Sequence, residues 1–376
     1  MSRKNDQCSV NKTSNRLAAI RRTRGFSAVD LAGRVGVSRQ TIHAIEAEAY
    51  VPNTLVALKL ARALDVSVED IFPFPEEDAE REAPVERVTL LPGSGMVHAG
   101  QHVQLCKVDG KMVASATSVV PWCVPVSDAV LLDRTKVRLV RGTDELNNRI
   151  VIAGCDPAMS VLSRYLQSAG IEAVLANRNS SAALALLKDG CVHVAGTHLR
   201  DAESGESNTA QIGRLFRGNS VAVISFAIWE QGLVIARGNL KSLRGIEDLA
   251  RPDVTLVNRE KGAGSRVLLD SSLAAAGIKA RKVRGYDRTA AGHLAAAAEV
   301  RSGAADCCIA PRAAARVFDL DFIPLVSERY DLVIRRRHLE LRGVQVLLET
   351  LSRASFRRDL ESLGGYDTKV AGRSVM

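Results

Sequence analysis

The sequence predicts a multidomain chain, an all-α domain followed by a larger α/β domain, and three observations carry that prediction. A helix-patterned segment fills residues 14–72, with apolar residues three and four apart between capping serines and turn-forming glycines. An acidic, proline-flanked stretch from Pro73 to Pro84 then interrupts the apolar patterning. From Arg149 onward, β-type apolar runs alternate with alanine-rich helical runs, the pattern of βαβ units on a parallel sheet. Size and composition agree. A chain of 376 residues exceeds one ordinary domain, and 46% hydrophobic residues with 4% aromatics suit layers packed by Val, Leu, Ile and Ala.

Charge and cysteines bound the function classes. The formal net charge of +9 is compatible with a polyanionic partner, although many proteins this basic are simply soluble. Seven cysteines at irregular spacing, with no C-x-x-C pair, argue against a disulfide framework or a structural zinc site and fit a reducing cytosol. The start, MSRKNDQCSVNK, lacks the apolar run of a secretory signal, and no stretch of about 18 apolar residues predicts a membrane span. A cytoplasmic protein without a membrane partner is expected.

In the first segment, Ser14 is placed to cap a helix carrying Leu17 and Ile20, which Gly25 ends. Ser27 caps AVDLAGRV, with Val29, Leu31 or Ala32, and Val35 facing inward. Gly36 allows a tight turn, and Ser38 caps RQTIHAIEAEA, whose Ile42 and Ile45 share a buried face. That leaves Arg39, Gln40, Thr41 and His43 at the exposed N-terminal end of this third helix. Thr54 starts a fourth helix through Leu64. A plain helical bundle has the same periodicity, so the residues themselves must decide. The strings RGFSAVDLAGRVGVSRQTIHAIEAEAYVPN and LKLARALDVSVEDIF resemble the lambda-repressor/Cro-like (XRE) helix-turn-helix family over almost all of residues 14–72. The resemblance implies binding of double-stranded DNA by Ser38, Arg39, Gln40, Thr41 and His43, as a homodimer on paired half-sites. Arg39 and Gln40 would read base edges and Thr41 would reach phosphate, in keeping with guanidinium for guanine and glutamine for adenine. Ala28 and Glu48 depart from the family, which usually has a glutamine at the first position and a glycine near the second. Residues 1–72 hold eleven Lys and Arg against seven Asp and Glu, a basic surplus suited to phosphate contact.

Residues 73–87, like-charged between prolines, read as a linker. Residues 88–140 read as a small β-rich connecting segment containing a hairpin around Asp109-Gly110. In residues 141–376, RIVIAG should form a strand, Gly154–Pro157 a loop, and residues 158–169 a helix whose N-terminus is suited to an anion. IEAVLAN and CVHVAGTHL follow as strands. Ser180 and Ser181 sit at a helix start, where they either cap the helix or offer hydroxyls to a ligand. The apolar run AVISFAIWEQGLVIARGNL is a long strand, and NREKGAGSR is a glycine-rich loop opening a helix. Neither phosphate-loop consensus fits this loop. The ordered pieces GCDPA, SSAALALL, HVAGTHLRD, QGL, NREKGAGSRVLLD, GH and SERYDLVI together resemble a periplasmic-binding-protein-like domain across residues 149–335.

That resemblance implies a two-lobed α/β sensor with the ligand between lobes that close by a hinge. Its pocket would include Asp156, Ser180, Ser181, His198, Gly264, Ser265, Arg266 and His293. Related domains bind molybdate or tungstate, so an oxyanion effector leads, although an acidic Asp156 leaves room for an organic ligand. His293 on an alanine-rich helix and Tyr330 each have a structural reading of equal standing, and Cys307-Cys308 are expected to pack a strand. No resident cofactor, metal set or nucleophile–base pair is evident. The expectation is therefore a one-component, ligand-modulated regulator rather than an enzyme. The alternative is a molybdenum-cofactor-related enzyme with an attached DNA-binding domain.

Overall fold

The computed structural model describes residues 15–73, 83–92, 97–117, 126–199, 208–218 and 220–376, and the chain divides into two units, Met1–Glu82 and Ala83–Met376. Ser14, residues 74–82 of the acidic linker and Trp122 lie outside the described residues.

The first unit consists of α1 (Leu17–Thr23), α2 (Ala28–Val35), α3 (Arg39–Glu46), α4 (Thr54–Leu64) and α5 (Val68–Ile71). Local chemistry sets these boundaries. Ser27 accepts from the Asp30 N–H while the Asp30 side chain accepts from the Ser27 N–H, a capping box that starts α2. Gly36 ends α2 at φ 77°, and Ser38 caps α3. Leu31, Val35, Ile42, Ile45, Leu60 and Leu64 pack together as the core. Val29, expected inward, is 56% exposed, because one hundred degrees per residue carries it off the stripe set by Leu31, Ala32 and Val35. The third helix stops at Glu46, earlier than its sequence suggested, and Glu48 takes φ 57°, the left-handed backbone that a glycine would supply more cheaply. Arg21 ties α1 to α3, donating to both carboxylate oxygens of Glu46 at 2.6 and 3.1 Å.

The second unit begins with β1 (Val85–Arg87), β2 (Thr89–Leu90), β3 (His102–Val108), β4 (Lys111–Ala116), β5 (Ala129–Leu131) and β6 (Lys136–Leu139). They form one sheet in the order β1-β6-β5-β3-β4-β2. The β3–β4 hairpin turns at Asp109 and Gly110, both at positive φ (49° and 78°), as a two-residue loop of matching twist requires. This sheet belongs to the same compact unit as the α/β region. Arg149 spans the two parts: its Nη1 donates to Asp128 at 2.5 Å and to the Leu105 carbonyl at 3.1 Å, and its Nε donates to Glu172 at 2.8 Å.

The α/β region continues with β7 (Arg149–Gly154), α6 (Met159–Ser168), β8 (Glu172–Asn177), α7 (Ser180–Lys188), β9 (Val194–Thr197), α8 (Thr209–Leu215) and β10 (Val221–Ile235). Then come β11 (Asn258–Arg259), α9 (Gly264–Ala275), β12 (Thr289–Ala290), α10 (His293–Arg301), β13 (Cys307–Pro311), α11 (Arg312–Val317) and β14 (Asp321–Arg335). The chain closes with α12 (Arg342–Ser352), α13 (Ala354–Ser362) and β15 (Tyr366–Asp367). The main sheet runs β13-β10-β14-β9-β7-β8, with β15 on β10. It is parallel across β8, β7 and β9 and antiparallel beyond them, where an all-parallel sheet was expected. The reason is topological: β10 leads the chain out to a second lobe and β14 brings it back, so the two must run in opposite directions.

The packing on the two sides of these crossing strands is separate. Ile152, Leu162, Val194, Phe226, Leu332 and Leu347 pack in the first lobe. Leu233, Ile235, Leu249, Leu256, Leu269 and Ile309 pack in the second. The register of β10 on β14 shifts between Gln231 and Gly232, where the strand passes from one core to the other. Cys307 and Cys308 are buried in β13, as a packing role requires.

Candidate functional site

The candidate residues of the first unit stand at the N-terminal end of α3. Ser38 Oγ accepts from the Thr41 N–H at 3.0 Å and bonds the Thr41 hydroxyl at 2.9 Å, so both side chains serve the cap. Arg39, Gln40 and His43 are exposed. Arg39 Nε donates to His43 Nε2 at 3.3 Å, an i,i+4 contact on one face.

In the second unit, the loops after β7 and β9 and the first turns of α9 and α10 converge. Strand β7 delivers Cys155 and Asp156, β9 delivers His198, α9 begins at Gly264, and α10 begins at His293. Ser180 heads α7 and accepts from the His198 N–H at 3.1 Å, which fixes that loop. His198 Nδ1 donates to Glu328 Oε2 at 3.1 Å, and its Nε2 lies 3.6 Å from Cys155 Sγ. His293 Nε2 approaches the same sulfur, also at 3.6 Å. Trp229 meets both imidazoles edge-on, at ring distances of 4.8 and 5.4 Å. The Cys155 N–H donates to the Tyr330 hydroxyl at 3.3 Å.

The lobes touch at this site because glycine carries no Cβ. At Gly264 a Cβ would lie 2.5 Å from His198 Nδ1 and 2.6 Å from its carbonyl oxygen. Gly292, at φ 112°, precedes His293, and a Cβ there would come within 2.9 Å of Asn177 Nδ2. Lobe contacts continue through the Ser181 N–H, which donates to the Gly262 carbonyl at 3.2 Å, and through Asn179, which donates to Glu260 at 3.1 Å. A cavity of about 230 Å³ adjoins, lined by Cys155, Asp156, Asn177, Gly292 and His293.

Electrostatics here are shaped by burial. Asp156 is pushed up to about 6 by desolvation, against hydrogen bonds from Tyr366 Oη (2.6 Å) and the Ala158 N–H (2.7 Å) on Oδ1. For His198, burial opposes protonation, but the Cys155 sulfur and the Glu328 carboxylate outweigh it and carry the ring up to about 9. Burial, then the charges of Arg259 and His198, hold His293 well below the ordinary imidazole value. Several buried polar atoms have no hydrogen-bond partner among the described residues: Asp156 Oδ2, Trp229 Nε1, the Gln231 amide, Arg259 Nη1, Ser265 Oγ and His293 Nδ1. Buried polar groups are satisfied nine times in ten or better, and Asp156 and His293 line the cavity, so their unpartnered atoms call for a ligand there.

The structure brings Asp156, Ser180, His198, Gly264 and His293 to the cleft and places Ser265 beside them. Ser181 sits at the lobe contact by its backbone. Arg266 is turned away: it donates to the Arg259 carbonyl at 3.1 Å, lies 3.6 Å from Asp270 and stacks 4.1 Å from the centroid of the Tyr286 ring. Arg259, 2% exposed and seven residues earlier, donates to Glu260 through Nε and Nη2, both at 3.1 Å, and keeps an unpartnered Nη1. Spacing had also shown no metal set and no thiol–imidazole pair, yet the fold assembles Cys155, His198 and His293 with their donor atoms all within 4.8 Å of one another. They are remote in sequence, so no motif could reveal them. Trp229 and Gln231 are legible in principle, as residues with polar atoms two apart on one face of a largely apolar strand.

Comparison with known proteins places both units. Residues 17–71 match the helix-turn-helix family model and residues 163–352 match the PBP superfamily domain model. The uncharacterized protein YvgK of Bacillus subtilis is 35% identical over 228 residues, 60% of this chain and 73% of that one. An uncharacterized HTH-type transcriptional regulator of the same organism, YgzD, is 42% identical over 64 residues, 17% of this chain and 97% of that one. Among solved structures, a putative phosphate ABC transporter substrate-binding protein with bound phosphate from Clostridium perfringens aligns at 14% identity and a TM-score of 0.45, covering 58% of this chain and 98% of that one. No helix among the described residues is long and apolar enough to cross a membrane. With its second unit matched over half of its length, the chain belongs to the PBP superfamily domain family and carries a helix-turn-helix domain at its N-terminal end.

Proposed function

We propose that the chain is a one-component transcriptional regulator, cytoplasmic and acting as a homodimer, in which a ligand held between the lobes alters the affinity of the helix-turn-helix unit for its operator. The observation that carries this reading is the set of buried, unpartnered polar atoms in the cleft of a chain that also bears a DNA reader. Their chemistry favours an anion: Arg259, Trp229 and Ser265 have hydrogens to donate. An oxyanion of the molybdate or tungstate type is the leading effector. Asp156 Oδ2 adds a condition, since an unpartnered carboxylate oxygen needs a donor. That favours an anion that also carries a hydroxyl or amine, and it keeps an organic effector in view.

A thermal-shift series on the full chain with molybdate, tungstate, sulfate, phosphate and a metabolite panel tests this, followed by operator binding with the responding ligand. A ligand at 100 times its Kd stabilises the native state by about 2.7 kcal/mol. Stabilisation with no change in DNA affinity would sink the regulatory part. Gly264→Ala should weaken the stabilising ligand about ten- to hundredfold, because a Cβ against His198 costs the closed state roughly 1–3 kcal/mol. An unchanged Kd in that variant would place the ligand elsewhere. Arg39→Ala should lower operator affinity about ten- to hundredfold, one bidentate base contact being worth roughly 1–3 kcal/mol. Its melting temperature should not move, because Arg39 is exposed and outside the core. Retained specificity would refute the reading of α3.

A second reading, an enzyme handling a molybdenum cofactor, draws on Cys155, His198 and Glu328. A thiol, an imidazole and a carboxylate follow one another at 3.6 and 3.1 Å, the order in which a thiol nucleophile is activated. Turnover of a cofactor precursor that Cys155→Ser abolishes would favour it.

A further inference from the structure

We infer that Cys155, His198 and His293 form a binding site for a thiophilic first-row transition cation, Zn²⁺ being the type case, and that the ion clamps one lobe to the other. The inference rests on the reading of the cleft as a ligand site but not on the identity of its anion. Geometry carries it. A tetrahedral ion with sulfur at about 2.3 Å and imidazole nitrogen at about 2.0–2.1 Å holds those two donors roughly 3.6 Å apart. Both Nε2 atoms stand 3.6 Å from Cys155 Sγ, and the two nitrogens, which such an ion would draw to about 3.4 Å, lie within 4.8 Å of each other. The residues are buried, with relative exposures of 6%, 1% and 1%, so the donors are held and desolvated.

The surroundings are those of a ligating set. His198 gives its other nitrogen to Glu328 at 3.1 Å, which fixes the ring and turns its Nε2 lone pair toward the sulfur, the carboxylate–histidine–metal relay of many zinc sites. Cys155 and His198 follow strands of the first lobe, whereas His293 opens α10 in the second, so one ion would join elements that the chain connects through the crossing strands. Three protein ligands leave a fourth position open. The adjoining cavity, which Cys155 and His293 both line, is where an exogenous anion would supply it. Binding would release the thiol proton, since the thiolate is the ligand.

The test is a titration of metal-free, full-length protein with Co²⁺, with Zn²⁺ as competitor. One ion per chain should bind, giving a sulfur-to-cobalt charge-transfer band and the intense visible absorption of a four-coordinate ion. Cys155→Ser should abolish the band, and Glu328→Gln should weaken binding about tenfold while leaving the band in place. Absence of the band from the parent protein overturns the site, as does its survival in a folded Cys155→Ser variant. Should that variant not fold, His293→Gln decides, because unchanged cobalt affinity there overturns the site equally. A protein that binds cobalt but whose operator affinity no ligand alters loses the regulatory reading and keeps the metal. The converse result loses the metal alone.

Discussion

Replacing Arg149 with alanine destabilises the second unit by about 3–5 kcal/mol, the cost of stranding a buried charge, and shifts its urea midpoint accordingly. The side chains of Arg149 and Asp128 are 3% and 4% exposed, and the carboxylate they share also accepts the Leu105 N–H at 2.7 Å. Removing the guanidinium leaves that carboxylate in a low dielectric with one backbone donor. It also detaches β7 from the small sheet, because the Leu105 carbonyl loses the same donor. Glu172, the outer partner, is 47% exposed and should contribute little, so Glu172→Ala serves as the control. Arg149→Met combined with Asp128→Leu should recover most of the loss, since apolar groups of similar volume often replace a buried pair at no cost. A single-variant loss below about 1 kcal/mol, in the range of surface pairs, would refute this account.

The second large effect is acid lability centred on His193. Burial first, and then the neighbouring His338, hold this imidazole down to about 4, against a smaller opposing pull from Asp109. The geometry agrees: the Val151 N–H donates to His193 Nδ1 at 3.0 Å, so that nitrogen must keep its lone pair. The unfolded ring titrates near 6.5. Between about 4 and 6.5 the unfolded chain therefore binds more protons than the native one, and stability rises with pH. The contribution is complete above 6.5, declines as pH falls from there, and is lost through pH 4. A difference of about 2.5 pH units corresponds to about 3 kcal/mol. His193→Asn keeps an acceptor for Val151 and cannot titrate, so its unfolding free energy should be flatter over that window. Equal slopes for parent and variant would assign the lability elsewhere.

What the sequence disclosed follows from how local each feature is. Caps, glycine stops and apolar stripes are written within a few residues, so α2, α4 and the β3–β4 hairpin appear where Ser27, Thr54 and Asp109-Gly110 place them. The crossing strand β10 announces itself as two apolar runs, Val221–Trp229 broken only by Ser225 and Leu233–Ile235, on either side of Glu230-Gln231-Gly232. The cleft was legible in part. His198, Gly264 and His293 stand in recognisable loops, but the choice between Arg259 and Arg266 turns on which guanidinium finds Tyr286 and Asp270. That depends on the third dimension. Cys155 was passed over because its partners lie 43 and 138 residues away. The end of α3 is not legible locally, because helix propensity in AIEAEA continues past the point where Glu48 turns the backbone.

The pairing of Gly232 with Pro324, where the crossing strands pass into the second core, has an architectural consequence. Everything between them, residues 233–323, leaves and returns at one pair of adjacent backbone positions, so the second lobe is a cassette inserted at a single seam. Grafting another cassette there would change which effector is sensed while the DNA reader, the small sheet and the first lobe stay as they are. Modular exchange at that seam is a route by which one output could be wired to many inputs.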